Sequence, residues 1–142
     1  MKTKTLAVAL GLAAMALTGC VGGADYTAQL TEPGVWWELV ALNGEPPEYT
    51  YIRATFSSSG HFMSHMSCND CWGPYIADGN RLRFEPLAMT LVACYDSMEE
   101  EGAYDLALRE VVRYAIDDGR LVMFNWWGGV ILVFERREGP VP

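Results

Sequence analysis

Asn-Gly and Asp-Gly dipeptides divide much of the chain into short hairpins, and this pattern restricts its possible folds more than any other feature. Asn43-Gly44 closes the alternating stretch VWWELVAL, while Asp78-Gly79 and Asp118-Gly119 each separate two apolar segments. Such dipeptides are typical of two-residue hairpin turns, because both positions accept positive φ. Further strands are predicted from about 51 to 56, from 60 through the stretch GHFMSH, and from 130 to 136.

One helix is predicted between these strands. Ser97 with Glu100 three residues later matches a capping box, and an acidic run at 99–101 suits the positive end of a helix dipole. We interpret that run as a solvated first turn. Apolar residues then recur at helical spacing, namely Tyr104, Leu108, Val111, Val112 and Ala115. The order of elements predicts an α+β fold, in which a curled antiparallel sheet, a partial barrel, packs on a single α-helix.

Residues 1–19 are predicted to be a lipoprotein signal peptide. Lys2 and Lys4 precede an apolar run at 6–17, which covers about 18 Å as a helix, far less than a bilayer core of about 30 Å. The run ends in LTGC, which resembles a bacterial lipobox. That resemblance implies acylation of Cys20 as the first mature residue, and Val21 in place of aspartate implies the outer membrane, on its periplasmic face. Two acyl chains give stable anchoring.

Domain boundaries and charge follow from this processing. Residues 20–33 are expected to form a lipidated tether, residues 34–138 the folded domain and residues 139–142 a short tail. Without Lys2 and Lys4, eight arginines face 18 carboxylates, a net charge of −10 (8 − 18). Such a field repels nucleic acid and anionic headgroups. We expect a monomer that is attached to the membrane through its lipid and has an unidentified protein or small-molecule ligand.

Three cysteines remain for the folded domain: Cys68, Cys71 and Cys94. The envelope outside the inner membrane is oxidising, so one disulfide and one free thiol are expected. The cysteine count alone allows three pairings.

Four segments together resemble the META domain family, which includes the HslJ-like bacterial lipoproteins. The similarity covers about 35–138 and comprises the opening WWELVALNG, then Cys68, Asn69, Gly73 and Tyr75, then Thr90 and Cys94, and finally Glu101, Tyr104 and Leu108 in the helix. The family has no established catalytic residues and is linked loosely to envelope stress and antibiotic tolerance. The resemblance therefore implies a non-enzymatic lipoprotein with a protective or binding role.

Two further expectations come with this resemblance. Cys68 and Cys94 both occupy motif positions, which implies a disulfide between them and leaves Cys71 as a free thiol. The family usually carries glycine where this chain has Ser64 and Ser67, which implies a less tightly turned backbone there.

The stretch GHFMSHMSCNDC raises metal and redox alternatives. Strand alternation places His61, Met63 and His65 on one face, opposite Phe62 and Met66 in the core. His61 and His65 would lie about 13 Å apart, so a copper or zinc site would need ligands from a neighbouring strand. This metal-binding role is the alternative function. A reactive C-x-x-C normally opens a helix, whereas a strand follows Cys71, which argues against a thiol oxidoreductase.

Two tryptophan pairs complete the candidate residues. Alternation predicts that Trp37 points inward and is buried, and that Trp36 points outward and is appreciably exposed. Trp36 could serve a partner or small ligand there, and the alternative is that it packs under the Pro46-Pro47 loop. At least one of Trp126 and Trp127 is expected to be exposed. No nucleophile elbow or phosphate-binding glycine loop is present, and with only two histidines no catalytic residue or cofactor is predicted.

Overall fold

The computed structural model describes residues 24–142. Two helices and nine strands occur in this part of the chain, in the order α1 (Thr27–Leu30), β1 (Val35–Leu42), β2 (Ile52–Phe56), β3 (His61–Met66), β4 (Asn69–Asp78), β5 (Arg81–Phe84), β6 (Ala88–Met89), α2 (Met98–Glu110), β7 (Arg113–Asp117), β8 (Arg120–Phe124) and β9 (Val130–Glu138).

Eight of the strands form a closed antiparallel barrel in the order β1-β2-β3-β4-β5-β7-β8-β9, with β9 paired back to β1. The short β6 adds to β4 beside this ring. The α+β class therefore fits only in part, since the fold is mostly β, and the predicted partial barrel is in fact closed. Closure removes the open edges that a curled sheet would expose to other chains.

Two of the three predicted dipeptide turns have the backbone geometry that their sequences favour, whereas at Asp78-Gly79 only Gly79 has positive φ, at 60°. Asn43 and Gly44 have φ of 52° and 91°, and Asp118 and Gly119 have φ of 46° and 74°. Asn, Asp and Gly tolerate this left-handed region, and the resulting turns match the twist of the flanking strands. The Asp118-Gly119 turn sets the register of β7 against β8, because Asp117 pairs with Arg120, whereas the Asn43-Gly44 turn closes only the isolated bridge between Leu42 and Glu45.

The barrel interior is filled by alternating side chains, and α2 closes it from one side. Trp37, Phe62 and Phe134 are fully buried in the core. From α2, the buried Tyr104 forms a hydrogen bond of 3.1 Å between its hydroxyl and Ser64 Oγ, and its ring lies 6.4 Å from that of Phe134. One helical side chain thus reaches strands from both halves of the barrel.

The chain before β1 packs more closely on the barrel than a tether would. Leu30, in the stretch predicted as tether, is buried in the core, and its carbonyl accepts a hydrogen bond from Trp37 Nε1 at 3.4 Å. Tyr26 packs edge-on against Tyr114 with ring centroids 5.8 Å apart. The folded part therefore begins before residue 34.

The helix differs from the prediction at both ends. It ends at Glu110, because Val111 is already extended and Ala115 lies in β7, where β-branched and alternating residues favour a strand. At the start, Ser97 makes no side-chain hydrogen bond to a helix amide, so no capping box forms. Among the described residues, no helix has the length and apolar character needed to cross a bilayer.

Candidate functional site

Several residues of the family motif meet in one polar cluster, whose buried members are Asn69, Ser97 and Glu101. We call it the Asn69 network and define it as Cys68, Asn69, Thr90, Val92, Ser97 and Glu101. Asn69 Nδ2 donates to Glu101 Oε2 at 2.8 Å, and Asn69 Oδ1 accepts from Val92 N at 2.7 Å and from Thr90 Oγ1 at 2.9 Å. Glu101 Oε1 accepts from Cys68 N at 3.1 Å and from Ser97 Oγ at 3.3 Å. The network ties the start of β4 to α2 and to the segment before it.

A disulfide joins Cys68 to Cys94 beside this network, with the Cα atoms 6.3 Å apart. This is the pairing that the family resemblance implied. The turn before it is tight, contrary to our expectation for the serine at this position. Ser67 adopts φ of 62°, and its Oγ accepts a hydrogen bond of 2.6 Å from Tyr51 N, so serine takes the conformation usual for glycine.

The acidic run at the start of α2 has structural roles that the sequence did not suggest. Glu101 is buried in the Asn69 network, and Glu100 accepts hydrogen bonds from the amides of Glu48 and Tyr49 at 2.8 and 2.7 Å. Two of the three carboxylates therefore hold neighbouring segments, and the interpretation as a simple solvated turn is wrong for them. Glu99 and Glu100 also line an open cleft of about 620 Å³ between the 43–49 loop and α2.

Cys71 is a buried core residue and, among the described cysteines, the one outside the disulfide. Burial raises the pKa of its thiol to about 12, and the negative charges of Asp105 and Asp70 act in the same direction. A thiol with so high a pKa forms little thiolate at neutral pH. The geometry therefore gives no support to a redox C-x-x-C.

The histidine and methionine side chains lie on the outer face, as strand alternation predicts. His61 and Met63 are exposed and His65 is half-buried, while Phe62, Ser64 and Met66 point into the core. The cross-strand neighbours of Met63 and His65 lie on β4, where Trp72 is opposite Met63 and Asp70 is opposite His65. His65 Nδ1 is 2.5 Å from Asp70 Oδ1. Within residues 24–142, no group of three or more His, Cys, Asp or Glu side chains could hold a metal ion.

Trp36 is buried, with 6% of its surface exposed, so the prediction that it is exposed is wrong. Trp37 is buried in the core, as predicted. Trp36 lies on the outer face opposite Arg137, whose guanidinium contacts Glu38 and Glu135 at 2.6 and 2.9 Å. Long arginine stems can cover apolar rings on such a face. The Pro46-Pro47 loop follows the other end of β1, far from Trp36.

Trp126 and Trp127 are both exposed, by 75% and 61%, because they lie in a loop rather than in a strand. We call residues 125–129 the tryptophan loop. The buried Asn125 closes it, since Asn125 Oδ1 accepts from Gly129 N at 2.7 Å and Gly128 takes φ of 87°. The two indole rings stand edge-to-face with centroids 5.0 Å apart.

Sequence reasoning missed the partners of Glu100 and Glu101 and the loop position of the tryptophans. Only the second had a local signal, since Asn before Trp-Trp and Gly-Gly after it are typical turn residues. Cys20, the predicted lipidation site, lies outside the described residues.

The architecture defines the class of this protein: a closed antiparallel barrel held by a helix and by one buried polar network, with its motif residues inside. The model of the META domain family matches residues 28–138, and the chain belongs to that family. No curated protein matches the chain.

Solved structures share this fold. An NMR structure of a protein from Burkholderia xenovorans is 23% identical over 96% of this chain and 97% of its own, with a TM-score of 0.61. A second NMR structure is 18% identical over 77% of this chain and 92% of its own, also with a TM-score of 0.61. A DUF4847 family protein from Bacteroides vulgatus is 18% identical over 80% and 99%, with a TM-score of 0.52. These similarities establish the fold alone.

Proposed function

We propose that this protein is a non-enzymatic, lipid-anchored META-domain protein on the periplasmic face of the outer membrane, where its domain has a protective or binding role under envelope stress or antibiotic exposure. It is expected to act as a monomer and not to bind nucleic acid. Acylated Cys20 would hold it to the membrane, and the surface of the barrel would make the contacts that matter to the cell.

One observation supports this proposal above the others. The motif residues that might have formed an active site are instead engaged in the Asn69 network, the disulfide and the core. Asn69, for example, uses both side-chain amide atoms on Glu101, Thr90 and backbone groups. A fully satisfied buried network stabilises and specifies a fold, and it offers no reacting group to a substrate. Function is therefore assigned to the surface.

The test combines fractionation with survival. A strain that lacks the protein is complemented with the wild-type chain or with Cys20→Ser, and both are followed in outer-membrane fractions and under a membrane-active antibiotic. Only the wild type should float with outer membranes and restore survival. The anchor is refuted if Cys20→Ser still floats at equal yield, and the protective role is refuted if deletion leaves survival unchanged.

A second candidate function is binding of Cu(I) on the outer face of β3, and one contact favours it. Asp70 engages His65 through Nδ1 only, in the manner by which carboxylates orient metal-binding imidazoles. Met63 lies two residues away on the same face and supplies the soft sulfur that Cu(I) accepts. Zn²⁺ fits this face less well, because it usually binds about four N, O or S ligands.

Titration of the chain with Cu(I) against a competing chelator tests this candidate. Asp70→Asn should weaken the affinity by about tenfold or more, and Met63→Leu should weaken it further, because each removes a supporting or ligating group. His61→Asn is the matched control on the same face and should leave the affinity unchanged. Equal affinities for all four proteins would exclude this site.

A further inference from the structure

The tryptophan loop presents apolar surface that its own fold does not require. The loop is closed by its backbone and by the Asn125 side chain, with Asn125 N donating to Gly129 O at 3.0 Å and Gly128 N donating to Asn125 O at 3.1 Å. None of these bonds uses an indole ring. Val130 at the start of β9 and Val112, which precedes β7, are also exposed. Val130 lies opposite Phe124, and Val112 N donates to Phe124 O at 2.9 Å.

Two arginines without carboxylate partners lie beside this loop. Arg81 and Arg113 face each other across β5 and β7, and a side chain built on Gly128 would approach Arg113 Nη2 to 3.5 Å. Within the described residues, neither arginine has a carboxylate oxygen within 4.0 Å, even though Asp78 is the strand partner of Arg81. Residues 1–23 contain no Asp or Glu that could supply one. Like charges directly opposite each other destabilise a sheet, unless an outside anion neutralises them.

The described chain begins at this same face. Ala24 and Tyr26 line a small pocket together with Arg113 and Phe124. Cys20 precedes Ala24 by four residues, which span at most about 14 Å even when fully extended. A bilayer that holds an acyl group on Cys20 would thus lie within reach of the arginines and of the tryptophan loop.

We propose that this face, formed by Trp126, Trp127, Val130, Arg81 and Arg113, lies on the phospholipid bilayer and orients the anchored barrel. Trp combines a large apolar ring with one N–H donor, and it is enriched where headgroups meet acyl chains. The arginines lie at the level of the lipid phosphates. This inference rests on the proposed acylation of Cys20, and it adds a second, non-covalent membrane contact to that anchor.

The overall negative charge does not oppose this contact. At physiological ionic strength charges are screened over about 8 Å, so a phosphate beside this face responds mainly to Arg81 and Arg113. Most other arginines are already paired, as Arg136 is with Glu32 and Arg137 with Glu38. Nucleic acid, which needs many phosphate contacts, fits a face with two free cations poorly.

Lipid-depth quenching of the acylated full-length chain tests the proposal. The chain is reconstituted in vesicles of phosphatidylethanolamine and phosphatidylglycerol, with or without lipids brominated near the headgroup. The wild type, Trp126→Phe/Trp127→Phe and Trp72→Phe are compared, and unchanged thermal unfolding shows that each variant is folded. Trp72 is the matched control, because it is exposed on β4 across the barrel from β9.

Brominated lipid should quench the wild type and Trp72→Phe to the same extent, and the double variant should lose most of this quenching. Arg81→Gln/Arg113→Gln should show weaker quenching than the wild type. If the chain floats with the vesicles but the wild type and the double variant are quenched equally, the membrane face is wrong and the anchor stands. If the wild-type chain does not float with the vesicles at all, the anchor fails, and this inference fails with it.

Discussion

The Asn69 network and the tryptophan loop are organised around similar residues but differ in what they leave exposed. Each contains a buried asparagine whose side chain closes a turn or links segments. Asn69 connects elements that are distant in sequence, and both of its side-chain amide atoms bond to Glu101, Thr90 or Val92. Asn125 bonds only to its own loop, and it holds two large rings in solvent.

This difference separates residues that maintain the barrel from residues that are available to a partner. The family pattern identifies the first kind, since Cys68, Asn69, Thr90, Cys94 and Glu101 all act within the fold. The tryptophans and arginines that we assign to the membrane lie outside that pattern. In this protein, the motif residues therefore maintain the fold. Residues that could contact a partner have to be sought on the surface, outside the motif.

Loss of the disulfide should have the largest effect on stability. Cys68→Ala/Cys94→Ala should lower the free energy of unfolding by about 3 to 4 kcal/mol, because the bridge closes a loop between residues 26 positions apart. Urea denaturation of the unlipidated Cys20→Ser chain measures this. A reducing agent should lower the stability of the parent chain by a similar amount and leave that of the double variant unchanged. If the reducing agent also lowers the stability of the double variant, the assignment of the disulfide to Cys68 and Cys94 is contradicted.

Asn69→Ala should lower the free energy of unfolding by about 3 kcal/mol. The substitution removes the donor to Oε2 of the buried Glu101 carboxylate, although Oε1 keeps its bonds from Cys68 N and Ser97 Oγ. A buried carboxylate oxygen without a donor is costly, and Thr90 Oγ1 and Val92 N lose their acceptor as well. Asn125→Ala is the matched control and should lower it by only about 1 kcal/mol, because it removes a single side-chain hydrogen bond, to Gly129 N, and leaves no charged group without a donor. Equal losses in the two variants would remove the distinction between the two regions.

The stability of the chain should fall in alkali because of Cys71. Its pKa is raised to about 12 in the folded protein, so its contribution is complete below the unfolded pKa near 9 and is lost as pH rises from there toward 12. At pH 10 the loss is about 1 kcal/mol relative to pH 7. Subtracting the pH profile of Cys71→Ala isolates this effect from the tyrosines. Identical profiles for the two chains would show that the thiol is not protected by the fold.

Truncation of the exposed tryptophans should have the smallest effect on stability. Trp126→Ala and Trp127→Ala should each change the free energy of unfolding by no more than about 0.5 kcal/mol, because these exposed rings bury little apolar surface in the folded protein. Thermal or urea unfolding is sufficient to measure this. A loss above about 2 kcal/mol would mean that the rings are part of the folded structure, and it would weaken their assignment to a membrane.

Much of the fold follows from local sequence, because turns and strand faces depend on a few neighbouring residues. Asn-Gly and Asp-Gly accept positive φ at little cost, as Asn43-Gly44 and Asp118-Gly119 do here. The alternation of Phe62 and Met66 with Met63 and His65 assigns each side chain to a face. The burial of Trp37 follows from the same alternation. The helix start at residue 98 could also be located, although its end could not, since Val111 and Val112 fit either structure by spacing alone.

By itself, then, the sequence determined the hairpins, the faces of the strands and the family. Only the tertiary structure decided that the sheet closes, that Trp36 is covered and that Glu100 and Glu101 hold distant segments. The physical reason is range: φ preferences and side-chain alternation act over two to four residues, whereas the pairing of β1 with β9 joins positions about a hundred residues apart. Such pairings depend on the summed packing of the whole barrel, which no short stretch of the chain encodes.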